Sequence, residues 1–287
     1  METIELRQRR DFSAVISTGF QYVRQNWKSL YRPLAFFCLP LYVVASLFMG
    51  NFFRTVYANM EGANSGAMLG SMGSMGAGYL LMILAMLMMY TLVYEHMRHY
   101  MLNRGLPPSS GEMWKAMLQQ LPAYFVVGLL AGIIAMAGVV LLFVGALWLA
   151  IVFTMAYPLR AFERAGIGEC ISRSFRVIKG HWWETFGLVL VLVMLITFIS
   201  YFLYLPLMLL TGFSAMSGME PMGGAGEYGQ RMGWFMTLFM LLAGVVNVLL
   251  LPFLHVPIGL QALSLIEEKE GRGLMQRVDE ATATPAA

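Results

Sequence analysis

Long apolar stretches alternate along this chain with short gaps that hold its charge. Pro33–Phe53, Gly78–Tyr94, Leu121–Tyr157, Phe186–Thr211 and Met232–Gln261 contain no Asp, Glu, Lys or Arg. A helix crossing a hydrocarbon core of about 30 Å needs about 20 apolar residues, so the pattern predicts membrane-spanning helices. Pro33 suits a first helical turn. Gly78–Tyr94 is shorter and rich in Met. Pro252 and Pro257 are expected to bend or break the inner end of the last span.

Leu121–Tyr157, 37 residues long, is ambiguous by pattern alone. As one helix it would measure about 55 Å at 1.5 Å per residue. As two, it needs a tight turn near Gly138, giving spans over 121–138 and 140–158. Basic residues decide between these. Seventeen of the 19 Lys and Arg lie in alternate gaps, with only Arg54 and Arg231 in the others. Short cytoplasmic flanks are enriched in Lys and Arg. A single crossing would export Arg160, Arg164, Arg173, Arg176 and Lys179, whereas two crossings keep them with the other basic gaps. Gly128, Gly132 and Ala135 on the first arm read as a small face for close helix packing.

The prediction is an all-α membrane protein with six transmembrane helices arranged as three hairpins. The spans are 33–53, 78–94, 121–138, 140–158, 186–211 and 232–261. They form one domain over 1–266, and a polar cytoplasmic tail over 267–287 is expected to be disordered. Both termini are expected in the cytoplasm, and the membrane to be the bacterial inner membrane. Composition strengthens the class: 59% of residues are hydrophobic and 12% charged, against roughly 25% charged in soluble domains. The net charge of +3 flanks spans and predicts no nucleic-acid partner. The first 32 residues are charged and lack the apolar core of a cleavable signal, so the first span is expected to direct insertion. Cys38 and Cys170 fall in different settings, and no disulfide is expected.

Two segments resemble each other at a constant offset of 155 residues, Ile16 matching Ile171. Ile16-Ser17-Thr18-Gly19-Phe20 aligns with Ile171-Ser172-Arg173-Ser174-Phe175, and Asn26-Trp27 with His181-Trp182. Each runs into a span, and each is apolar at helical spacing. Phe12, Ile16, Phe20, Val23, Trp27 and Leu30 share one face of the first; Ile167, Ile171, Phe175, Ile178 and Trp182 share one of the second. Such helices lie in the headgroup plane with cations toward anionic lipid. A weaker third copy opens at Ser109, where Ser109-x-x-Glu112 reads as a capping box. Two or three interfacial amphipathic helices thus precede the odd-numbered spans.

The run from Ala156-Tyr157-Pro158 through Glu163 to Ile171-Ser172-Arg173-Ser174-Phe175-Arg176-Val177-Ile178-Lys179-Gly180-His181-Trp182-Trp183 carries a family likeness. It resembles the six-span membrane domain attached to some glycerophosphoryl diester phosphodiesterases, and related bacterial integral membrane proteins. In the fused proteins the hydrolase is a separate soluble domain. Only 21 residues follow residue 266 here, so the resemblance implies membrane placement and no phosphodiesterase activity.

Candidate chemistry is sparse. His96 and His99 share a helix face beside Glu95, but two His are too few for a catalytic zinc; the plainer reading is a polar helix end. Met72 and Met75, with Met216, Met219 and Met222, place thioethers that suit Cu(I) in the exported loops. With 25 Met in the chain, Met is more simply a generic apolar residue, and no metal or cofactor is expected. His255, between Pro252 and Pro257 and near Asn247, is a candidate substrate or proton site, because intramembrane ionisable groups mark function. No phosphate-binding glycine loop or nucleophile elbow occurs, so no enzyme is expected.

The sequence therefore predicts a non-catalytic envelope scaffold or lipid-associated accessory factor. Arg24, Lys28, Arg173, Arg176 and Lys179 would contact lipid headgroups. Its partners are membrane lipids and other envelope proteins. The alternative is a transporter or channel for an apolar or amphiphilic solute.

Overall fold

The computed structural model describes residues 3–59, 65–140, 144–216 and 224–271. Within them the regular elements are all helices: α1 (Phe12–Gln25), α2 (Trp27–Ala58), α3 (Ser65–Leu102), α4 (Ser110–Val140), α5 (Val144–Phe153), α6 (Ala156–Glu163), α7 (Ile167–Ile178), α8 (Trp182–Met216) and α9 (Gly224–Glu270). Six stretches are long and apolar enough to cross a membrane: α2, α3, α4, α5 with α6, α8 and α9. The 37-residue stretch is thus divided, with α4 ending at Val140 and α5 starting at Val144.

Several helices outrun their apolar cores. α3 starts at Ser65, so Met72 and Met75 lie on a helix and not in a loop. Met219 and Met222 lie outside the described residues. α9 passes through both Pro252 and Pro257 without a break, so of the expected bend or break the break does not occur. In a membrane-spanning helix, proline is tolerated because neighbouring helices and hydroxyl side chains satisfy the backbone groups it frees. α9 also runs through Glu270, so the first residues of the expected tail are helical. The capping box exists: Ser109 N–H donates to Glu112 Oε2 at 2.8 Å, and Glu112 N–H to Ser109 Oγ at 3.3 Å. It opens α4 itself, which continues through Pro122 with no separate third short helix.

The chain forms two compact units whose boundaries fall inside α2, α3, α8 and α9. The first comprises residues 1–32, 90–194 and 252–287. One apolar cluster joins Ile151, Val152 and Phe153 of α5 to Val177 and Ile178 of α7 and to Ile258, Ala262 and Leu265 of α9. α4 meets α5 at Gly138, where an added Cβ would lie 2.8 Å from Leu149 and 3.1 Å from the Ala146 nitrogen. Of the glycines expected to pack closely, Gly132 faces open space, whereas Gly138 makes a close approach.

α1 and α7 bury matched positions. In α1 these are Val15, Gly19, Tyr22 and Val23; in α7 they are Cys170, Ser174, Val177 and Ile178. Each pair is 155 apart. The buried face overlaps the apolar one read off the sequence only in part: Val23, Leu30 and Ile178 are buried, but Phe12 and Trp27 are exposed, while Gly19 and Ser174 are buried. Gly19 explains this for α1, since an added Cβ would sit 2.6 Å from Pro257 Cγ of α9. Small residues let backbones approach, and large apolar ones lose nothing in apolar surroundings.

The second unit comprises residues 33–89 and 195–251. Here α2 runs antiparallel to α9. Gly244 abuts Tyr42, Gly50 abuts Thr237 and Gly233 abuts Arg54, each closer than 3 Å to an added Cβ. α3 meets the other side of α2, with Gly78 against Met49. Tyr204 of α8 contacts Phe239 of α9 at a ring separation of 5.3 Å.

Candidate functional site

The polar interior of the first unit radiates from α3. Every residue from Thr91 to Met97 is buried, so this part of the helix is enclosed on all sides. Successive residues point about 100° apart, at 3.6 per turn. Tyr94, Glu95 and His96 accordingly reach three different neighbours.

Tyr94 meets α9, its hydroxyl 3.2 Å from His255 Nδ1. The Tyr90 ring stands edge-on to the same imidazole at 4.4 Å. Tyr157 lies 5.1 Å from Tyr90, and Tyr124 stacks on Tyr157 at 5.6 Å. Among the described residues, His255 Nε2 and the Tyr124 hydroxyl are buried without a hydrogen-bond partner. Unpaired buried polar atoms are uncommon enough to need a reason.

Glu95 meets Arg164. Its carboxylate is fully buried and accepts two hydrogen bonds from the guanidinium, both at 2.9 Å. Arg98 lies 4.0 Å away. The turn after α6 is built to deliver Arg164. That residue caps the helix in the left-handed region at φ 53°, a conformation costing a non-glycine residue roughly 1–2 kcal/mol. Arg160, one turn earlier, donates to the Arg164 and Ala165 carbonyls at 3.4 and 2.8 Å and to Gln120 Oε1 at 3.0 Å. The helix end is thereby clamped so that Arg164 points inward.

His96 meets α1 and α2. Nδ1 lies 2.7 Å from the Tyr22 hydroxyl and Nε2 lies 3.0 Å from Ser29 Oγ. Both ring nitrogens are taken. Tyr22 also packs edge-on to Tyr100 at 5.1 Å, and the Tyr100 hydroxyl accepts from Ile4 N–H at 3.1 Å. Burial raises the Tyr22 phenol well above its ordinary value, which keeps the hydroxyl protonated for His96.

A second set of charges joins α6, α7 and α9. Arg173 pairs with Glu163 at 2.7 Å, Glu270 at 2.5 Å and Glu169 at 3.9 Å. Lys269 donates to the Arg176 and Lys179 carbonyls at 2.7 and 2.8 Å. These are last-turn acceptors of α7, where a cation also suits the helix dipole. His181 sits between Glu184 at 3.0 Å and Glu268 at 3.5 Å, and Arg9 reaches Glu268 at 3.5 Å.

Of the five cations read as headgroup contacts, Arg24, Lys28, Arg176 and Lys179 are exposed, while Arg173 is largely enclosed by carboxylates. His255 is buried and Asn247 is exposed. Glu95 and His96 spend their polar atoms on Arg164 and on hydroxyls, so they do not converge with His99 on a metal. Among the described residues no group of three or more His, Cys, Asp or Glu gathers to hold one. Glu95 is a buried charge just beyond the uncharged stretch Gly78–Tyr94, and the sequence reading took it for part of a polar helix end. The sequence hid it, because its partner lies 69 positions away; a carboxylate abutting an uncharged span was the one available signal. No protein-family model, curated protein or solved structure matches the chain.

Proposed function

We propose that this chain is a non-catalytic, multi-pass protein of the bacterial inner membrane, acting as a lipid-associated scaffold or accessory factor. In this reading the six spans form three hairpins with both termini cytoplasmic. α1 and α7 are copies of one interfacial unit. Kinship with the membrane domain fused to glycerophosphoryl diester phosphodiesterases belongs to the same proposal and rests on residues 156–183.

The observation that carries it is the matched placement of α1 and α7. Equivalent positions are buried in both, while Arg24, Lys28, Arg176 and Lys179 stay exposed beside the exposed Trp27 and Trp183. Exposed cations next to interfacial tryptophan suit an anionic headgroup layer. The closed pairing of Glu95 and His96 supports a structural role for the interior. Reversal of those four cations to Glu, leaving Arg173 in place, tests the reading. The variant should remain folded but retain fewer anionic lipid molecules per chain, at unchanged zwitterionic retention, in native mass spectrometry. Unchanged anionic retention would remove the proposed role.

One observation favours the alternative, a transporter or channel for an apolar or amphiphilic solute. His255 Nε2 and the Tyr124 hydroxyl are left unpaired in an aromatic box within span-forming helices. Substrate-dependent flux in proteoliposomes, abolished by His255→Phe, would favour it over the scaffold.

A further inference from the structure

The second unit contains two basic residues, Arg54 and Arg231. Arg231 is held by Glu227 at 2.6 Å, one helical turn earlier. Arg54 is exposed and faces no carboxylate among the described residues. Its own backbone and Cβ abut Gly233, where an added Cβ would come within 2.6 Å. The glycine contacts between α2 and α9 thus fix where this guanidinium starts.

Arg54 borders an open cleft between these helices, which Asn51, Gln230, Leu47 and Trp234 also line. The lining is graded. Because α2 and α9 run antiparallel, passing from Leu47 to Arg54 on one matches passing from Thr237 to Gln230 on the other. One end offers a cation and two carboxamides. The other offers Leu47, continued by exposed Val43, Val44 and Leu238, and Trp234 stands between the two ends beside Gly233. Between them Gly50 and Gly233 form a floor without side chains. The Thr237 hydroxyl is turned back onto the Gly233 carbonyl at 2.9 Å, so it adds no donor to the apolar end. A guanidinium recognises phosphate oxygens in a planar, two-pronged fashion, and Trp beside an exposed apolar strip suits the boundary between headgroup and acyl chain.

We propose that this cleft is a specific site for an anionic phospholipid. Arg54 engages its phosphate, Asn51 and Gln230 hydrogen-bond the headgroup, and an acyl chain lies along Leu47 and Trp234. The site is distinct from the exposed cations of α1 and α7, and none of the residues changed to test those lies in it.

Native mass spectrometry of the full chain, purified with phosphatidylglycerol and with phosphatidylcholine, tests this. Wild type should retain one phosphatidylglycerol in preference to phosphatidylcholine. Arg54→Gln should lower that occupancy about tenfold, the loss of a charge-assisted contact. Arg54→Lys should fall between, keeping the charge but not the fork. Trp234→Ala should also lower phosphatidylglycerol occupancy, through the lost acyl-chain contact. Arg54 is exposed, so these variants should fold, which an unchanged melting temperature checks. Equal occupancy in Arg54→Gln and wild type overturns the proposal. So does equal retention of both lipids, or full displacement by millimolar inorganic phosphate, which would mark a site for a soluble phosphate compound.

Discussion

Arg164 and Glu95 meet through two hydrogen bonds of 2.9 Å, joining the left-handed turn after α6 to the enclosed part of α3. Removing one partner of a buried pair leaves an uncompensated charge and costs about 3–5 kcal/mol. Arg164→Leu should therefore destabilise strongly, while Glu95→Gln in that background should recover part of the loss. Unfolding in mixed micelles gives both values. A single Arg164→Leu effect below about 1 kcal/mol, the scale of an exposed pair, would show that the pair is not enclosed.

Tyr22→Phe should leave His96 Nδ1 without its partner at the junction of α1 and α3. An unsatisfied buried group costs about 1–3 kcal/mol. Because burial raises the Tyr22 phenol above its ordinary value of 10.0, folding also acquires a pH dependence. The contribution is complete below pH 10 and declines above it, as the unfolded chain loses a proton that the folded chain keeps. Wild type should lose stability faster than Tyr22→Phe on titration above pH 10; parallel curves would exclude the linkage.

Gly19 and Gly132 should respond oppositely to alanine. A Cβ at Gly19 meets Pro257 Cγ at 2.6 Å and its Cα at 3.3 Å, whereas Gly132 has open space. Gly19→Ala should cost about 1–3 kcal/mol by overpacking, and Gly132→Ala should be neutral or stabilising by up to about 1 kcal/mol. Melting temperatures of the two variants decide it. Destabilisation by Gly132→Ala would imply a partner at that face.

Cys38 and Cys170 are buried free thiols. Burial raises the Cys170 thiol above its ordinary value, which lowers the fraction of reactive thiolate. Maleimide labelling of the folded protein should be slow near neutral pH, faster as pH rises, and complete for both residues after SDS denaturation. Rapid labelling of the native chain would contradict the burial of α7.

The polar contacts of α3 show where sequence reading stops. Tyr94-Glu95-His96 looks like the wet end of a span because it borders Arg98 and His99 in the chain. Glu95 is buried because Arg164 arrives from another helix, and His96 because Tyr22 and Ser29 do. The faces of α1 and α7 teach the same point. Periodicity marked Phe12, Ile16, Phe20, Val23, Trp27 and Leu30 as a face, yet of these only Val23 and Leu30 are buried, together with Gly19 and Asn26. In apolar surroundings a large apolar side chain is stable facing outward, so hydrophobicity does not rank packed against unpacked faces.

By itself the sequence determined the helical class, the six span-length apolar stretches and the division of residues 121–157, because length and charge along the chain suffice for these. Tertiary structure alone decided the rest: which polar groups are enclosed, which glycines carry the helix crossings, and which cations remain exposed. Those depend on partners tens to hundreds of residues away, such as Glu95 with Arg164 or Gly19 with Pro257. No local pattern contains their distances.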